Sequence, residues 1–486
     1  MPTHIPRLFG DQTAMVADLY HLTMAYGFWK KGLSERESVF HLFYRKPPFQ
    51  NGYVLAAGLA LVVDYLQRFR FDAGDVAYLG RLTGSDGAPL FSESFLNYLQ
   101  RLRFSCDLDA FPEGTVALPH QPLLRVRGPL AQATLIESAL LNLINFSSLI
   151  ATKGARIVQA ANGDTVLEFG LRRAQGLDGA LTAGRAAYIG GCHATSNLLA
   201  GRWYDIPVKG THAHSWVMCF DTEQEAFAAY AEVMPHNCIL LVDTYDTLEG
   251  VRKAIAVGHR LRKKGYVLNG IRLDSGDLAR LARAARKMLD EAGLTDTRIV
   301  ASNSLDEDRI RELKKAGAPI DIWGVGTRLI TAQNDPALGG VYKISALENA
   351  NGILEGKIKL SEEASKTSNP GVLDVRRYSR SDGQPVADML FDVQSDAGDE
   401  LVPFGSEKRL ALSDLSYQTL LEPIFRRGDL VYTPPSLSDI RQYCLDQQAR
   451  FTSVDWRDYP NGLERTLHQK KLRMVAGIRK IQDPQK

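Results

Sequence analysis

The run Gly270–Leu278, reading GIRLDSGDL, places a cation and an anion, Arg272 and Asp274, at the end of an alternating apolar stretch. Ser275 and Gly276 then turn the chain, and Asp277 opens a segment in which Leu278, Leu281, Ala282, Ala285, Met288 and Leu289 recur at helical spacing. A strand that delivers charges to a helix N-terminus can hold a phosphate or a carboxylate, because first-turn N–H groups are free and the dipole is positive there. The same residues could instead form an internal Arg272–Asp274 ion pair with Ser275 as a helix cap.

Further short apolar runs end in a similar way. VLEFG (166–170) leads to Arg172 and Arg173, and AAYIGG (186–191) to Thr195, Ser196 and Asn197. PVKGTHAH (207–214) carries His212 and His214, and ILLVD (239–243) ends in Asp243, followed by Thr244, Tyr245 and Asp246. RIVAS (298–302) supplies Ser302, Asn303 and Ser304, and DIWGVG (321–326) supplies Gly324, Gly326 and Thr327. Polar residues repeated at strand ends argue for an enzyme over a structural module, since parallel barrels assemble their sites from such ends. Glycine N–H groups beside Ser302 and Thr327 can cradle a phosphate, and Arg172, Arg173 and Arg272 can grip an anion in bidentate fashion. Asp243 and Asp274 can hold Mg²⁺ through water or bond ribose hydroxyls. His212 and His214 would share a face only of a regular strand. Without HExxH or a third well-spaced ligand they suit acid–base or nucleophilic work beside an aspartate, or a hydrogen-bonded core, better than zinc. Neither a P-loop nor a dinucleotide-binding GxGxxG is present.

Helical segments near 194–202, 222–234, 247–264, 276–292 and 305–316 separate these runs, and a repeated strand–helix order means a parallel sheet. With one more strand, at Tyr342–Leu347 or before Gln132, the count approaches an eight-stranded α/β barrel; an open doubly wound sheet is the alternative. Ahead of it the sequence predicts a helix over 11–30, a strand over Ser38–Lys46, a buried helix over Val54–Phe69 and strands within Phe104–Val126. A long helical stretch from Ala131 to Ala161 follows. The expected fold is α/β: an irregular TIM-like barrel over 126–350, an N-terminal α+β domain over 1–125, and a C-terminal strand and helix region over 351–486 packing on the N-terminal domain. The 486 residues, 45% apolar and 23% charged with net charge +2, indicate a multi-domain globular protein and no nucleic-acid surface. Five scattered cysteines without a CxxC point to reduced thiols and a cytoplasmic setting, and no run approaches a membrane span.

Several segments in the right order resemble the nicotinate phosphoribosyltransferase family: DLYHLTMAYGF (18–28), FHLFYRKPPFQNGYVLAAGL (40–59), EFGLRRAQG (168–176), TSNLLAG (195–201), KGTHAHSWV (209–217), LLVDTYDT (240–247), GIRLDSGDL (270–278) and GVGTRLITAQNDPALGGVYK (324–343). The resemblance implies an irregular barrel in a homodimer with shared active sites. It implies ATP-coupled transfer of phosphoribosyl from 5-phosphoribosyl 1-pyrophosphate to nicotinate, giving nicotinate mononucleotide and pyrophosphate for NAD salvage, with Mg²⁺ carried mainly by the substrate phosphates. His214 would be phosphorylated by ATP and oriented by Asp243. Thr211 and Arg272 would contact nicotinate, with Phe169 and a partner's Tyr20 sandwiching its ring. Arg172, Asp274, Ser302, Gly324, Gly326 and Thr327 would serve the phosphoribosyl donor and its phosphates. Nicotinamide-specific relatives carry an aspartate near the segment in which this chain has Ser196 and Asn197, which favours nicotinate. A nicotinamide- or quinolinate-type transferase, or a non-catalytic nucleotide-binding homologue, are the competing readings. The chemistry suits the residues: the pyridine nitrogen needs no base at neutral pH, so a histidine makes sense as a phosphate acceptor, and positioning can lower the barrier by roughly 7–11 kcal/mol.

Overall fold

The computed structural model describes residues 13–361, 363 and 366–482 and divides the chain into two compact units, Met1–Leu149 with Ala337–Lys486, and Ile150–Pro336. Both mix helix and strand. Among the described residues no helix is long and apolar enough to cross a membrane.

In the first unit, Glu37–Tyr44 is an inner strand of a seven-stranded sheet, paired antiparallel with Leu124–Pro129 on one side and Gly340–Glu348 on the other. The strand expected around Tyr342–Leu347 as the last stave of a barrel therefore belongs to a different sheet. The helix expected over Val54–Phe69 begins only at Leu59, after a short strand at Val54–Leu55. Gly58 sets that break: its φ is +100°, and a Cβ there would lie 2.5 Å from the Leu143 carbonyl oxygen. The C-terminal stretch builds a second sheet and ties to the N-terminal one through buried polar contacts, such as Gln121 Nε2 donating to Asp388 Oδ2 at 2.7 Å.

The second unit is a six-stranded parallel sheet. Its strands are β1 (Thr165–Glu168), β2 (Ala194–Thr195), β3 (Ile239–Leu241), β4 (Gly270–Leu273), β5 (Arg298–Ala301) and β6 (Ile322–Val325), in the order β2–β1–β6–β5–β4–β3. Both faces are covered, which is why the strands read as nearly continuous apolar runs. On one face Leu167, Ala194, Val300 and Ile322 pack with Phe169 and Ile239. On the other, Val166, Ile271, Ile299, Ala301, Trp323 and Val325 are fully buried. The helix Leu278–Glu291 buries Leu278, Leu281, Ala282, Ala285 and Leu289, the stripe its spacing predicts.

Two expected strands differ. AAYIGG closes the helix Leu177–Ile189, and the strand comes after it at Ala194. The run is short and wholly apolar, so periodicity cannot separate helix from strand, and Ala180, Ala183, Gly184 and Ala187 pack as a helix face. PVKGTHAH forms no ladder. It touches the edge of β2 through a single Thr195–Val208 bridge, with Thr195 N donating to Pro207 O and Lys209 N to Thr195 O, each at 3.0 Å. At its other end His212 Nε2 accepts from Leu241 N of β3 at 3.2 Å. Among the described residues β2 and β3 are the end strands of the ladder, and this segment bonds to both.

Candidate active site

Arg272, on β4, is held by side chains from its own strand end, from the end of β5 and from the PVKGTHAH segment. Its Nε donates to Ser302 Oγ at 3.0 Å, its Nη1 to Thr211 Oγ1 at 2.6 Å, and its Nη2 lies 3.5 Å from Asp274 Oδ1. Ser302 Oγ in turn donates to Asp274 Oδ1. Four residues singled out in the sequence thus form one connected group. The alternation of β4 explains it: Arg272 and Asp274 leave the same face, while Ile271 and Leu273 anchor the other in the core.

His214 begins the short helix His214–Met218 beside this group. Its Nδ1 is 3.1 Å from Thr244 Oγ1, and its Nε2 is 3.8 Å from Asp274 Oδ2. The expected orientation of His214 by Asp243 is not what the structure shows. Asp243 Oδ2 accepts from Asp274 N and Ser275 Oγ, both at 2.7 Å, so that carboxylate fixes the β4 turn and Thr244, the next residue, takes the imidazole. Asp243 Oδ1 is buried and has no hydrogen-bond partner. An acceptor-only oxygen left bare in this way is suited to a cation or to a donor on a ligand.

Phe169 follows β1 and lies over the sheet. A Cβ on Gly324 would stand 2.8 Å from Phe169 Cδ2, so the glycine expected to cradle phosphate instead makes room for an aromatic ring. Gly326 sits similarly under the Phe169 carbonyl, at 3.1 Å for an added Cβ. Behind the strand, buried Glu168 accepts from Thr195 Oγ1 at 2.6 Å and from Gly170 N, tying β1 to β2 and bracing the turn that carries Phe169. Burial raises its carboxyl pKa above the usual range. Nothing in the sequence marked Glu168 or Thr244 for these roles. Each acts through a tertiary contact.

Of the remaining candidates, Arg172 is exposed on the turn Leu171–Arg173, and Ser196 is half-buried with its N–H on the Glu168 carbonyl. Asn197 caps the helix Leu198–Tyr204 and leaves its buried Nδ2 without a partner. Thr327 opens the short helix Thr327–Ile330 after β6. Between β5 and the next helix, Asn303 and Ser304 hold φ values of 83° and 52°, a strained pair beside Ser302 of the kind found at ligand sites. Tyr20 lies in the first unit, on the helix Leu19–Lys30, and is 50% exposed. A cavity of 510 Å³ in the second unit is lined by Phe169, Ile239, Val300 and Ile322 but also by Lys209 and Arg298, and of the Arg272 group Thr211 reaches its wall.

Three family models match consecutive parts of the chain: the nicotinate phosphoribosyltransferase N-terminal domain over 15–145, the family's main model over 165–384 and its C-terminal domain over 374–457. A nicotinate phosphoribosyltransferase of Bacillus subtilis is 43% identical over 458 residues, covering 92% of this chain and 90% of the relative. The chain belongs to the nicotinate phosphoribosyltransferase family. The crystal structure of the human nicotinic acid phosphoribosyltransferase superposes with a TM-score of 0.81 at 31% identity, covering 93% of this chain and 99% of that one. A Pyrococcus furiosus nicotinate-nucleotide pyrophosphorylase, at 23% identity and a TM-score of 0.69, shares the fold. The main family model spans every residue of the Arg272 group together with His214 and Asp243. The family match thus covers the place in the second unit where Arg272, Asp274 and His214 come together.

Proposed function

We propose that this site transfers phosphoribosyl from 5-phosphoribosyl 1-pyrophosphate to the ring nitrogen of nicotinate, releasing nicotinate mononucleotide and pyrophosphate in NAD salvage, with ATP coupled through a phosphohistidine at His214. The observation that carries the reading is the fixed guanidinium of Arg272, braced by Thr211, Ser302 and Asp274, with Thr211 also lining the cavity that Phe169 walls. A planar cation near an aromatic side chain suits an aromatic carboxylate: the guanidinium would meet the carboxylate while Phe169 covers the ring. An aspartate in place of Ser196 or Asn197 would repel that carboxylate.

In the transfer, the C1–O bond to pyrophosphate breaks as the pyridine nitrogen bonds C1, and the ribose carries positive charge between the two events. Asp274 would stabilise that charge. Ser302 and the Gly326–Thr327 backbone would hold the 5′-phosphate, and Arg172 the pyrophosphate. In the coupled step one imidazole nitrogen of His214 takes the terminal phosphoryl group of ATP, ADP leaves, and water later returns the phosphate to solution. Thr244 holds the ring for that transfer. Mg²⁺ fits as a companion of the substrate phosphates, since Asp243 offers a bare carboxylate oxygen; among the described residues no three His, Cys, Asp or Glu side chains group to hold a metal by themselves. When bound, the ion supplies charge neutralisation on the pyrophosphate.

The fold this reading takes is the irregular α/β barrel, with the Pro207–His212 segment spanning the gap between β2 and β3. Exposed Tyr20 of a second copy would complete the ring sandwich in a homodimer. Product analysis with nicotinate, 5-phosphoribosyl 1-pyrophosphate and Mg²⁺, with and without ATP, tests the function. Nicotinate mononucleotide formed faster with ATP is expected, and preference for nicotinamide or quinolinate would overturn it. With γ-labelled ATP, an acid-labile, base-stable protein label should vanish in His214→Ala.

A further inference from the structure

The segment Pro207–Ala213 occupies the place of a strand without forming one, yet it carries Thr211 and leads directly into His214. Its tie to β2 is backbone to backbone, through Thr195. Its tie to β3 is a side chain: the Nε2 of His212 accepts the N–H of Leu241 at 3.2 Å. Leu241 is fully buried, so no water could satisfy that N–H in its place. Because Nε2 accepts, the ring proton must sit on Nδ1, and Nδ1 lies 3.2 Å from the Ala213 carbonyl oxygen, which can receive it. The ring is locked from outside by the helix Glu223–Val233, edge-on to Tyr230 at 4.6 Å and 6.4 Å from Phe227, and only 8% of the residue is exposed. The His212 carbonyl oxygen also faces Arg272 Nη1, at 3.4 Å.

We propose that His212 is a positioning residue, an Nδ1–H imidazole that replaces the missing ladder between this segment and β3 and thereby sets Thr211 against Arg272 and His214 against Thr244. Burial, then the Arg272 and His214 charges, hold its pKa below the ordinary value, in keeping with a ring that must keep Nε2 bare. Its effect on turnover rests on the transfer reading above; its hydrogen-bond geometry does not. Without the ring, Thr211 and His214 lose their anchor to β3 while every group that touches substrate is still present.

Two variants of the full chain decide the matter. In His212→Leu, KM for nicotinate should rise and kcat/KM fall by on the order of 10²-fold, the scale of an ångström-sized misplacement. In His212→Gln a carboxamide oxygen can still accept from Leu241, and kcat/KM should return to within several-fold of the parent. ¹⁵N NMR of histidine-labelled parent protein, assigned by the signal lost in His212→Leu, should show a protonated Nδ1 and a bare Nε2. A Leu variant with parental KM that merely yields fewer active molecules, a Gln variant no better than Leu, or a protonated Nε2 would each overturn the proposal. If the parent fails to turn over nicotinate, the transfer reading falls, and the tautomer still decides the role of His212 in the sheet.

Discussion

Gly324→Ala is the sharpest test of how the site is built. The new Cβ would stand 2.8 Å from Phe169 Cδ2 and 2.9 Å from Cε2. Carbon–carbon contacts are comfortable at about 3.5–4.0 Å, so ring or strand must yield by about 0.6–1.2 Å. The strand is the stiffer member, because β6 pairs on both sides, with Val300 of β5 opposite Ile322 and Leu167 of β1 opposite Gly324 itself. The ring therefore moves. Overpacking of this kind costs about 1–3 kcal/mol, and an ångström of displacement at a reacting centre costs on the order of 10²-fold in rate. Steady-state kinetics should show kcat/KM for nicotinate falling about 100-fold, with a loss of a few degrees in melting temperature. Gly179→Ala is the control, since nothing lies within 4 Å of its added Cβ and the site sits inside a helix. Phe169→Leu in the Gly324→Ala background should restore the melting temperature without restoring activity, because the clash goes and so does the aromatic face. If Gly324→Ala keeps kcat/KM within threefold of the parent, the ring is not a fixed part of the site and the reasoning fails.

Arg272→Lys keeps the charge but cannot reach Thr211 and Ser302 together, so about 1.5–3 kcal/mol of charged hydrogen bonding is lost; kcat/KM for nicotinate should drop roughly 10- to 100-fold in the same assay. Glu307→Gln removes the carboxylate shared by Arg156 and by Lys153, which is fully buried and 2.7 Å from Glu307 Oε2. Urea unfolding should show about 3–5 kcal/mol of destabilisation, most of it recovered when Lys153→Met is added. His41 in the first unit is fully buried, and its pKa is lowered to about 3 by burial and then by Arg125. The unfolded chain thus binds the proton more readily, so this contribution is intact above pH 6.5 and erodes as pH falls toward 3, by at most about 1.4 kcal/mol per pH unit. The gap between unfolding midpoints at pH 7 and 5 should be smaller in His41→Gln than in the parent, by about one proton's slope.

The parallel strands were legible where an apolar run ended in a charge or hydroxyl, as in GIRLD, RIVAS and ILLVD, because burial on one side and chemistry on the other leave opposite signatures in the same few residues. AAYIGG misled because a short apolar run reads alike as the end of a buried helix. PVKGTHAH misled because a side chain took over what a ladder does, and no periodicity records that. Within the site, Arg272, Asp274 and Ser302 were legible by type, Thr211 came only from the family resemblance, and the structure links all four into one hydrogen-bonded group. The partner of His214 did not. Asp243 and Thr244 are adjacent, both can bond an imidazole, and the choice falls to Thr244 only because Asp243 is engaged by Asp274 N and Ser275 Oγ. Gly324 was ambiguous for a related reason: an absent side chain looks the same whether a phosphate or a phenyl ring fills the space.

A lone histidine in an apolar run is usually a hydrogen-bonded core residue, and here that bland role has a definite form. His41 Nε2 accepts from Leu373 N at 3.1 Å, His193 Nδ1 from Val166 N at 3.1 Å, and His212 Nε2 from Leu241 N at 3.2 Å. Each ring supplies an acceptor to a backbone N–H of a strand or of its immediate neighbour. Among ring-bearing side chains only neutral imidazole combines an aromatic body with a bare nitrogen acceptor, so it can fill an apolar gap and satisfy a buried donor together. The arrangement has a built-in cost at low pH, since protonation turns the acceptor into a donor facing a donor. Where burial holds the imidazole neutral, as at His41 and His212, the sheet keeps its bonds through the physiological range and loses them in acid. At His212 the bond at stake also holds Thr211 and His214 in place, so its loss in acid should lower activity and stability together.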